Sequence, residues 1–337
     1  MPDVLADLTT LRLGGPIGRL VQATSTSALS DAMRAADSAG EPVLVVGGGS
    51  NLVVSDAGWP GVVVLVRTVG IEVNQRNGAV SVTVQAGTPW DAVVERSVQE
   101  GWSGLASMSG IPGSTGATPV QNVGAYGSEV AEVITGLTVM DRASGSVEQW
   151  SPSRCGFGFR TSAFKNTDRY VVLDVTFSLR VSPEGPPVRY AELARRLGVE
   201  PGGVAPSAHI REVVLDLRRS KGMLLEAADH DTWSVGSFFV NPFVDPEQVP
   251  DGCPHWGVDG RIKLSAAWLI ENAGFGKGYG IGRGHVGVST KHTLALTNRG
   301  GASTAELLEL AREIRDGVEA RFGIRLRPEA HLAGVEL

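Results

Sequence analysis

An uncharged, glycine-rich run over residues 109–127 is the part of this sequence best suited to bind a large anion. It contains five glycines, and its prolines restrict the turns between them. Glycine lets backbone N–H groups approach and converge on a ligand, so the backbone rather than lysine would hold phosphate groups. A second run, Gly47-Gly48-Gly49-Ser50-Asn51, follows the apolar residues 43–46. The two runs together predict one dinucleotide ligand, although either run alone is as typical of a structural turn.

Amide side chains in these runs are candidates to recognise that ligand, namely Asn51, Gln121 and Asn122. The usual nucleotide motifs are not supported. Leu52 stands where the third glycine of a Rossmann fingerprint belongs, and the sequence contains no Walker motif. The one literal G-x-G-x-x-G, at residues 282–287, precedes a strand-like run instead of a helix.

Three further residues have types and neighbours suited to catalysis. Arg160, beside aromatic residues, is able to grip a carboxylate with its planar guanidinium, the alternative being a surface ion pair. Ser237, between a glycine and two phenylalanines, is able to donate a proton from a dry turn, the alternative being an ordinary turn serine. Glu329 follows a proline near the chain end, where the alternative is a solvated carboxylate.

Alternating helix and strand signals must position these residues. Apolar spacing and breakers predict helices over 25–40, 190–198 and 209–219, and strands over 42–46, 61–67, 80–86, 134–140 and 170–179. A helix ending near Gly101 is predicted to be capped by Thr88, with Pro89 in its first turn. Ser303 and Glu306 form a capping box before a helix that Gly323 ends. The fold class is therefore α+β, with mixed sheets in separate domains and a boundary in residues 182–228, where 182–187 resembles a linker.

Composition restricts the function classes. The 337 residues are 42% hydrophobic with a formal net charge of -6, and the basic residues are scattered, so a general nucleic-acid surface is not expected. Acidic residues near the start and the lack of a long apolar run predict a cytoplasmic protein without membrane insertion. Cys155 and Cys253 lack zinc-site spacing, and we expect buried, reduced thiols and no metal.

Taken together, these segments resemble the UDP-N-acetylenolpyruvoylglucosamine reductase family over nearly the whole chain. Residues 190–193 resemble its tyrosine-loop (type I) branch. The matching segments are residues 10–15, 47–52, 109–127, 155–165, 236–242, 266–271 and 326–329.

The resemblance implies four regions. Residues 1–182 would form an FAD-binding module of the vanillyl-alcohol-oxidase (PCMH) type, with two subdomains split near residues 68–78. Residues 183–228 would connect it, through the tyrosine loop, to a substrate-binding α+β domain at 229–325, and residues 326–337 would return to the active site. FAD would be bound non-covalently. Its implied contacts are Gly47, Gly48, Gly49, Ser50, Asn51, Ser109, Gly110, Ile111, Pro112, Gly113, Ser114, Gly116, Ala117, Gln121, Asn122, Gly124, Ala125 and Tyr126.

The implied reaction is the NADPH-dependent reduction of UDP-N-acetylglucosamine enolpyruvate to UDP-N-acetylmuramate, a peptidoglycan precursor. Arg160 would bind the substrate carboxylate, Ser237 would donate the proton, and Glu329 would polarise the carboxylate or relay the proton. The implied substrate contacts are Tyr190, Lys221, Asn241 and His292, with Arg218 or Arg219 as alternatives to Lys221. A monomer is expected, and the choice between NADPH and NADH is left open.

One residue departs from the family pattern, because Phe159 stands where many members carry tyrosine. We expect the missing hydroxyl to be dispensable or replaced by water. Two rival functions are an oxidase on the same FAD module and a flavin-binding or UDP-sugar-binding regulator that has lost catalysis. The Ser237 and Glu329 segments argue against the oxidase, and these two residues together with Arg160 argue against the regulator.

Overall fold

The structure is a computed structural model that describes residues 2–76, 78–258 and 260–337. Within those residues it has six α-helices, which are α1 (Thr26–Ser38), α2 (Trp90–Gln99), α3 (Ala191–Leu197), α4 (Ser207–Ser220), α5 (Ala266–Asn272) and α6 (Thr304–Phe322). The strands up to the middle of the chain are β1 (Ile17–Ala23), β2 (Val43–Val46), β3 (Leu52–Val54), β4 (Trp59–Val66), β5 (Ile71–Arg76), β6 (Ala79–Gln85), β7 (Trp102–Ser103), β8 (Gly124–Ala125) and β9 (Ser128–Glu129). The later strands are β10 (Ile134–Asp141), β11 (Ser146–Trp150), β12 (Tyr170–Val181), β13 (Phe243–Val244), β14 (His255–Val258), β15 (Arg261–Leu264), β16 (Val286–Val288), β17 (Leu296–Asn298) and β18 (His331–Ala333). This mixture of helices and strands confirms the predicted α+β class.

The chain divides into two compact units that are not continuous in sequence. The terminal unit comprises Met1–Ile17, Gly49–Trp59 and Lys221–Leu337, and the central unit comprises Gly18–Gly48 and Pro60–Ser220. The last change of unit, after Ser220, falls within the predicted boundary interval of 182–228. The domain boundaries implied by the family resemblance stay a prediction, because compact units describe packing and not what each part binds.

The central unit is built around an antiparallel sheet of order β11-β10-β12-β6-β5, with β7 pairing on β12. Helix α2 packs against this sheet through Trp90, whose ring centre lies 5.8 Å from that of Phe177 on β12. A smaller sheet of order β1-β4-β2 buries a second core with α1, and its β2 and β4 pair in parallel. Both cores consist largely of valine, leucine and methionine on the buried faces of the strands and helices.

Helices α3 and α4 complete the central unit with a core of their own, formed by Val188, Leu193, Ile210, Val214 and Leu217 among others. The segment 182–187, predicted to be a linker, is instead bonded within this unit. Gly185 N donates to Ala205 O at 2.9 Å, and Ser207 N donates to Pro183 O at 2.8 Å. The proline and glycine content therefore marks an irregular but packed segment.

The terminal unit joins the two ends of the chain. Strand β18 pairs in parallel with β3, from His331 opposite Leu52 to Ala333 opposite Val54, which places residues 49–59 with the C-terminal part. Helix α6 and the hairpin of β16 and β17 surround a large apolar core, to which the consecutive Phe238 and Phe239 contribute. A small sheet of order β13-β15-β14 completes the unit.

Local signals set most helix ends, with one correction. The predicted capping box at Ser303 and Glu306 is present, and Gly323 ends α6 in the left-handed region. The predicted capping of α2 by Thr88 is wrong, because Pro89 is the N-cap residue and provides no side-chain bond. Thr88 Oγ1 instead donates to Gly70 O at 3.3 Å and accepts from Gly70 N at 3.2 Å. The Thr88 hydroxyl is therefore bonded to a residue distant in sequence and does not cap the helix.

The two cysteines are buried free thiols, as the sequence predicts. Burial raises the pKa of Cys155 to about 11 despite the nearby charge of Arg154. The thiol is therefore protonated near neutral pH, which is typical of a packing role.

Candidate active site

The two glycine runs come into direct backbone contact within the central unit. A Cβ added to Gly48 would lie 2.5 Å from Gly113 Cα, and one added to Gly47 would lie 2.2 Å from Ser114 Oγ. A Cβ on Gly116 would similarly lie 2.5 Å from Ala86 Cβ. Because no larger residue fits at these positions, the glycines allow the two runs to meet. Their short, uncharged lining suits a pyrophosphate held by backbone groups, so the residues fit FAD.

Two charged residues that the sequence analysis missed hold these runs in place. Arg67 Nη1 donates to Gly47 O at 2.9 Å from the end of β4. Asp91 Oδ1, in the first turn of α2, accepts from Gly110 N at 2.6 Å. In the sequence, Arg67 is recognisable only as a charged residue after an apolar strand, and Asp91 only as an acidic residue at the start of a helix. Neither feature identifies the loop that the side chain contacts.

Asp91 also links the glycine loop to helix α4. Its two oxygens accept from Arg211 Nη1 at 2.7 Å and Nη2 at 2.9 Å, a bidentate pair. Burial alone would raise the pKa of Asp91, but the bonds from Arg211 and Gly110, with the charges of Arg211 and Arg218, lower it. The carboxylate therefore stays ionised and holds the start of the 109–127 run against α4.

Arg160 lies in the central unit on a short turn. Its φ of 52° is in the left-handed region, which is uncommon for a residue other than glycine. Gly158 and Thr161 flank it and exchange backbone hydrogen bonds of 3.1 and 3.3 Å. Its guanidinium donates to Gly124 O at 3.0 Å and lies 5.8 Å from the ring centre of Phe159. The structure thus brings the predicted catalytic arginine to the glycine loop.

The predicted amide residues of the 109–127 run have protein partners in the structure. Lys165 Nζ donates to Gln121 Oε1 at 3.3 Å. Asn122 is buried, and its Nδ2 donates to Glu129 Oε2 at 2.7 Å and to Gly158 O at 3.1 Å. The Asn122 side chain therefore holds protein segments together, while the predicted contact of this residue with FAD stays a prediction.

Tyr126 and Tyr190 meet at the end of the glycine loop. Tyr126 and Gly127 have φ values of 51° and 83° and form the turn between β8 and β9. The two tyrosine rings lie edge to face with centres 5.6 Å apart. Burial raises the pKa of Tyr126 to about 12, although the charge of Arg218 opposes the shift. Tyr126 is therefore a neutral phenol, and the predicted tyrosine loop contacts the predicted FAD loop.

The three alternative cations occupy different environments. Arg218 is buried on α4, and burial lowers the pKa of its guanidinium. Arg219 is exposed and pairs with Asp216 at 2.7 Å. Lys221 begins the last segment of the terminal unit.

Ser237 and Glu329 are brought together in the terminal unit by backbone pairing. Glu329 N donates to Phe238 O at 2.7 Å, and Phe239 forms a bridge with Pro328. Phe238 N in turn donates to Leu294 O at 2.8 Å. The full burial of both phenylalanines fixes the segment beside the half-buried Ser237.

Two predicted asparagines also have defined positions in the terminal unit. Asn51 Nδ2 donates to Glu329 O at 3.4 Å, and Asn51 O accepts from His331 N at 2.9 Å. Asn241 Oδ1 accepts from Ala266 N at 3.0 Å, at the start of α5. Asn51 therefore lies beside Glu329, and Asn241 holds the N-terminal end of a helix.

His292 lies on the loop between β16 and β17. Burial, followed by the charges of Lys221 and Lys277, lowers its pKa to about 4, while Glu271 opposes the shift. Ser289 Oγ accepts from His292 N at 3.3 Å and from Lys291 N at 3.0 Å, which fixes the loop. His292 is therefore a neutral hydrogen-bonding group near neutral pH, close to two lysine charges.

The predicted site residues thus form two sets. The central unit holds Gly47, Gly48, the 109–127 run, Arg160 and Tyr190, and the terminal unit holds Gly49, Ser50, Asn51, Lys221, Ser237, Asn241, His292 and Glu329.

Comparison with known proteins first defines the class. Residues 17–151 match the model of an FAD binding domain, and residues 228–333 match that of the UDP-N-acetylenolpyruvoylglucosamine reductase C-terminal domain. A crystal structure of UDP-N-acetylenolpyruvylglucosamine reductase from Thermus caldophilus has a TM-score of 0.70 and 24% identity, and the match covers 98% of this chain and 97% of that one. That similarity confirms the fold. With the FAD-binding match and the relatives below, it defines a flavin-dependent oxidoreductase.

Individual relatives are more similar in sequence than the protein of that crystal structure. The chain is 54% identical to the UDP-N-acetylenolpyruvoylglucosamine reductase of Salinispora arenicola (strain CNS-205), over 99% of this chain and 95% of that protein. It is 52% identical to that of Thermobifida fusca (strain YX), over 99% and 97%. The chain belongs to the UDP-N-acetylenolpyruvoylglucosamine reductase family, as the resemblance implies.

Among residues 2–76, 78–258 and 260–337, no helix has the length and apolar character needed to cross a membrane.

Proposed function

We propose that this protein reduces UDP-N-acetylglucosamine enolpyruvate to UDP-N-acetylmuramate with electrons from NADPH, as a cytoplasmic monomer supplying peptidoglycan synthesis. The observation that carries the proposal is the pairing of the Ser237 and Glu329 segments, through Phe238 and Phe239, in a chain of this family. An acid donor and a carboxylate on adjacent segments suit protonation of a carbon next to a carboxylate.

Bound non-covalently at the two glycine runs, FAD would supply hydride transfer from NADPH to the vinyl group of the substrate. Gly47, Gly48 and residues 109–127 would hold its pyrophosphate through backbone groups. Arg67 and Asp91 would keep the two runs in position through their bonds to Gly47 O and Gly110 N.

Arg160 would bind the substrate carboxylate. Hydride addition to the terminal vinyl carbon moves negative charge into that carboxylate, so a preplaced guanidinium stabilises the resulting enolate. The bond from its guanidinium to Gly124 O orients the side chain before substrate binds. Because little reorientation is then needed, the charge is available when the enolate forms.

Ser237 would donate the proton that completes the reaction at the second carbon. A serine hydroxyl is a weak acid, so its position beside the developing enolate must account for most of its effect. Glu329 would polarise the carboxylate or relay the proton. Its main-chain N–H is bonded to Phe238, the residue that follows Ser237, so the two residues lie on adjacent segments.

Tyr190, Lys221, Asn241 and His292 would bind the UDP part of the substrate. Lys221 lies close enough to His292 to lower the pKa of the imidazole, and Lys277 adds to this effect. The lysines would supply positive charge to the diphosphate, while the neutral His292 would form a hydrogen bond.

An anaerobic stopped-flow experiment on the FAD-reconstituted protein tests this function. We expect NADPH to bleach the flavin absorbance and the enolpyruvyl substrate to restore it, with stoichiometric UDP-N-acetylmuramate. NADH in place of NADPH measures the nucleotide preference. Recovery only with oxygen and release of peroxide would identify an oxidase, and substrate binding without recovery would identify a regulator, so either result refutes the proposal.

A further inference from the structure

The turn that carries Arg160 is joined to the glycine loop by side-chain hydrogen bonds at three alternate loop positions, 120, 122 and 124. Ser162 Oγ donates to Val120 O at 2.7 Å, Asn122 Nδ2 donates to Gly158 O at 3.1 Å, and Arg160 Nη2 donates to Gly124 O at 3.0 Å. The position of the guanidinium therefore depends on the conformation of residues 120–124.

Asn122 is the most buried side chain among these contacts, with 1% of its surface exposed. Its two amide protons go to Glu129 Oε2 at 2.7 Å and to Gly158 O at 3.1 Å, and its Oδ1 accepts from Ala131 N at 3.1 Å. Carboxylate and carbonyl oxygens only accept, and a backbone N–H only donates, so this network permits one orientation of the amide. Both donors of Asn122 are used within the protein.

Glu129 connects this amide to the partner of Arg160. In the hairpin of β8 and β9, Glu129 lies opposite Gly124, whose carbonyl accepts from the Arg160 guanidinium. A Cβ on Gly124 would lie 2.9 Å from Glu129 Cγ, so the carboxylate stem packs directly on this glycine. The bond between Asn122 and Glu129 thus spans the base of the hairpin that presents Gly124 O.

The backbone of Arg160 also needs such support. A φ of 52° is strained in a residue with a side chain and persists only where the surroundings enforce it. Gly158, two residues earlier, receives the Asn122 bond and exchanges backbone bonds with Thr161. One buried pair therefore fixes both the turn beneath Arg160 and the carbonyl that orients its guanidinium.

We propose that Asn122 and Glu129 are positioning residues for Arg160. They fix the relative positions of its turn and the Gly124 carbonyl. The guanidinium is thereby held where it can form an ion pair with the substrate carboxylate. The consequence for turnover rests on the proposed function, in which Arg160 binds that carboxylate. The positioning of Arg160 by these two residues does not depend on the proposed function.

Three variants separate the contacts. Glu129→Ala removes the acceptor, whereas Glu129→Gln keeps an oxygen of similar reach and should restore the wild-type behaviour. Asn122→Asp keeps the acceptor for Ala131 N but cannot donate to Gly158 O, and it faces the carboxylate of Glu129. Thr138→Val is the matched control, because it deletes two side-chain bonds of a half-buried hydroxyl on the large sheet of the same unit, to Asp174 at 2.8 Å and from Gln149 at 2.7 Å.

The structural test is amide hydrogen exchange in the FAD-reconstituted enzyme. We expect Glu129→Ala and Asn122→Asp to accelerate exchange at Gly158 and Thr161 by about tenfold or more, because local opening controls these rates. Glu129→Gln and Thr138→Val should match the wild type. Wild-type rates in both Glu129→Ala and Asn122→Asp would overturn the proposal whatever the reaction proves to be.

The functional test is the single-turnover reoxidation of the reduced enzyme by the enolpyruvyl substrate. Glu129→Ala should slow reoxidation about ten- to a hundredfold, as expected for a displaced catalytic group, and leave reduction by NADPH within about twofold. Adding Glu129→Ala to Arg160→Lys should slow reoxidation by no more than about threefold beyond Arg160→Lys alone. A fully additive loss would overturn the proposal, because Glu129 would then act independently of Arg160. If Arg160→Lys itself left reoxidation unchanged, the proposed role of Arg160 would fail, and hydrogen exchange would still decide whether the pair positions it.

Discussion

At the scale of single residues, chemistry and position have different sources. Arg160, Ser237 and Glu329 are recognisable as chemical groups from the sequence, but their environments come from backbone pairing and from buried neighbours. Ser237 is a clear case, because main-chain bonds to Leu294 and Glu329 hold the next residue, Phe238, in place. A substitution that changes only its hydroxyl should therefore report on chemistry and not on folding.

We predict that Ser237→Ala slows reoxidation of the reduced enzyme by the enolpyruvyl substrate about 10²- to 10⁴-fold, the usual range for loss of a general acid. Reduction by NADPH should be unaffected, because it needs no proton from this residue. Anaerobic stopped-flow absorbance measures both steps. Ser234→Ala is the control, since the nearby Ser234 accepts from Gly236 N but has no proposed role in the reaction. Equal reoxidation rates in Ser237→Ala and wild type would eliminate Ser237 as the proton donor.

A second residue-scale prediction concerns Phe159. Its ring lies 5.8 Å from the Arg160 guanidinium, a contact that a phenylalanine face makes without a hydroxyl. We therefore predict that Phe159→Tyr changes kcat and KM by less than about threefold, because the ring contact is retained. Steady-state kinetics with NADPH and the enolpyruvyl substrate provide the check. An increase in kcat by orders of magnitude would show that the missing hydroxyl matters.

At the scale of elements, local signals succeed where the partners are close in sequence. The box of Ser303 and Glu306 is satisfied within one turn of α6, so the sequence alone identifies it. Thr88 fails for the opposite reason, because Gly70, from an earlier connection, is bonded to its hydroxyl. Asn122 lies between these two cases, because its residue type and its glycine-rich loop predict an amide that recognises a ligand. Its actual partners, Glu129 and Gly158, are brought together only by the hairpin and the Arg160 turn.

Helix α6 provides an element-scale prediction in which two effects oppose each other. Replacing a mid-helix glycine by alanine normally stabilises a helix by about 1 kcal/mol. At Gly317, however, the new Cβ would lie 2.4 Å from Phe275 Cε2, on a buried ring that also packs on Tyr279. Overpacking of this kind costs about 1–3 kcal/mol, so we expect Gly317→Ala to lower the free energy of unfolding.

Urea denaturation of Gly317→Ala measures this loss. The double variant Gly317→Ala with Phe275→Leu tests the cause, because the smaller side chain makes room for the methyl group and should recover part of the stability. Ala320→Gly, at an exposed site on the same helix, is the control for propensity alone and should cost about 1 kcal/mol. A stabilised Gly317→Ala would show that the ring moves aside easily and that helix propensity dominates.

At the scale of the whole molecule, the helix and strand signals along the chain predict the fold class but not the division of the chain into units. The α+β class follows from alternating helix and strand signals, whereas the two discontinuous units do not. Residues 49–59 belong to the terminal unit because β3 pairs with β18. The paired residues Leu52 and His331 are nearly 280 positions apart in the sequence. A parallel pairing of two three-residue strands leaves too little local pattern for the sequence to predict it. The sequence therefore indicates the chemistry that the site residues suit without indicating which unit contains each of them.

The stability of the whole chain should depend on pH through His292. Its pKa in the folded protein is about 4, against about 6.5 in an unfolded chain, because burial and the charges of Lys221 and Lys277 disfavour the imidazolium. Between these two values the unfolded chain binds a proton that the folded chain does not. Stability therefore rises with pH through this window and is lost as the pH falls towards 4. The buried Asp231, whose pKa is lowered by its bonds to Thr290 and Arg299 despite burial, adds a loss of the same sign at lower pH.

We therefore predict that His292→Gln removes part of this pH dependence. From about pH 7 to about pH 5, the wild type should lose roughly 1–2 kcal/mol more unfolding free energy than His292→Gln, as linkage requires for one proton. Urea denaturation at the two pH values measures the difference. Lys221→Met should give an intermediate loss, because removing one positive charge raises the pKa of His292 towards its unfolded value. If His292→Gln and wild type lost stability in parallel, the acid sensitivity would have to originate in carboxylates such as Asp231, and the imidazole would be charged without cost to the fold.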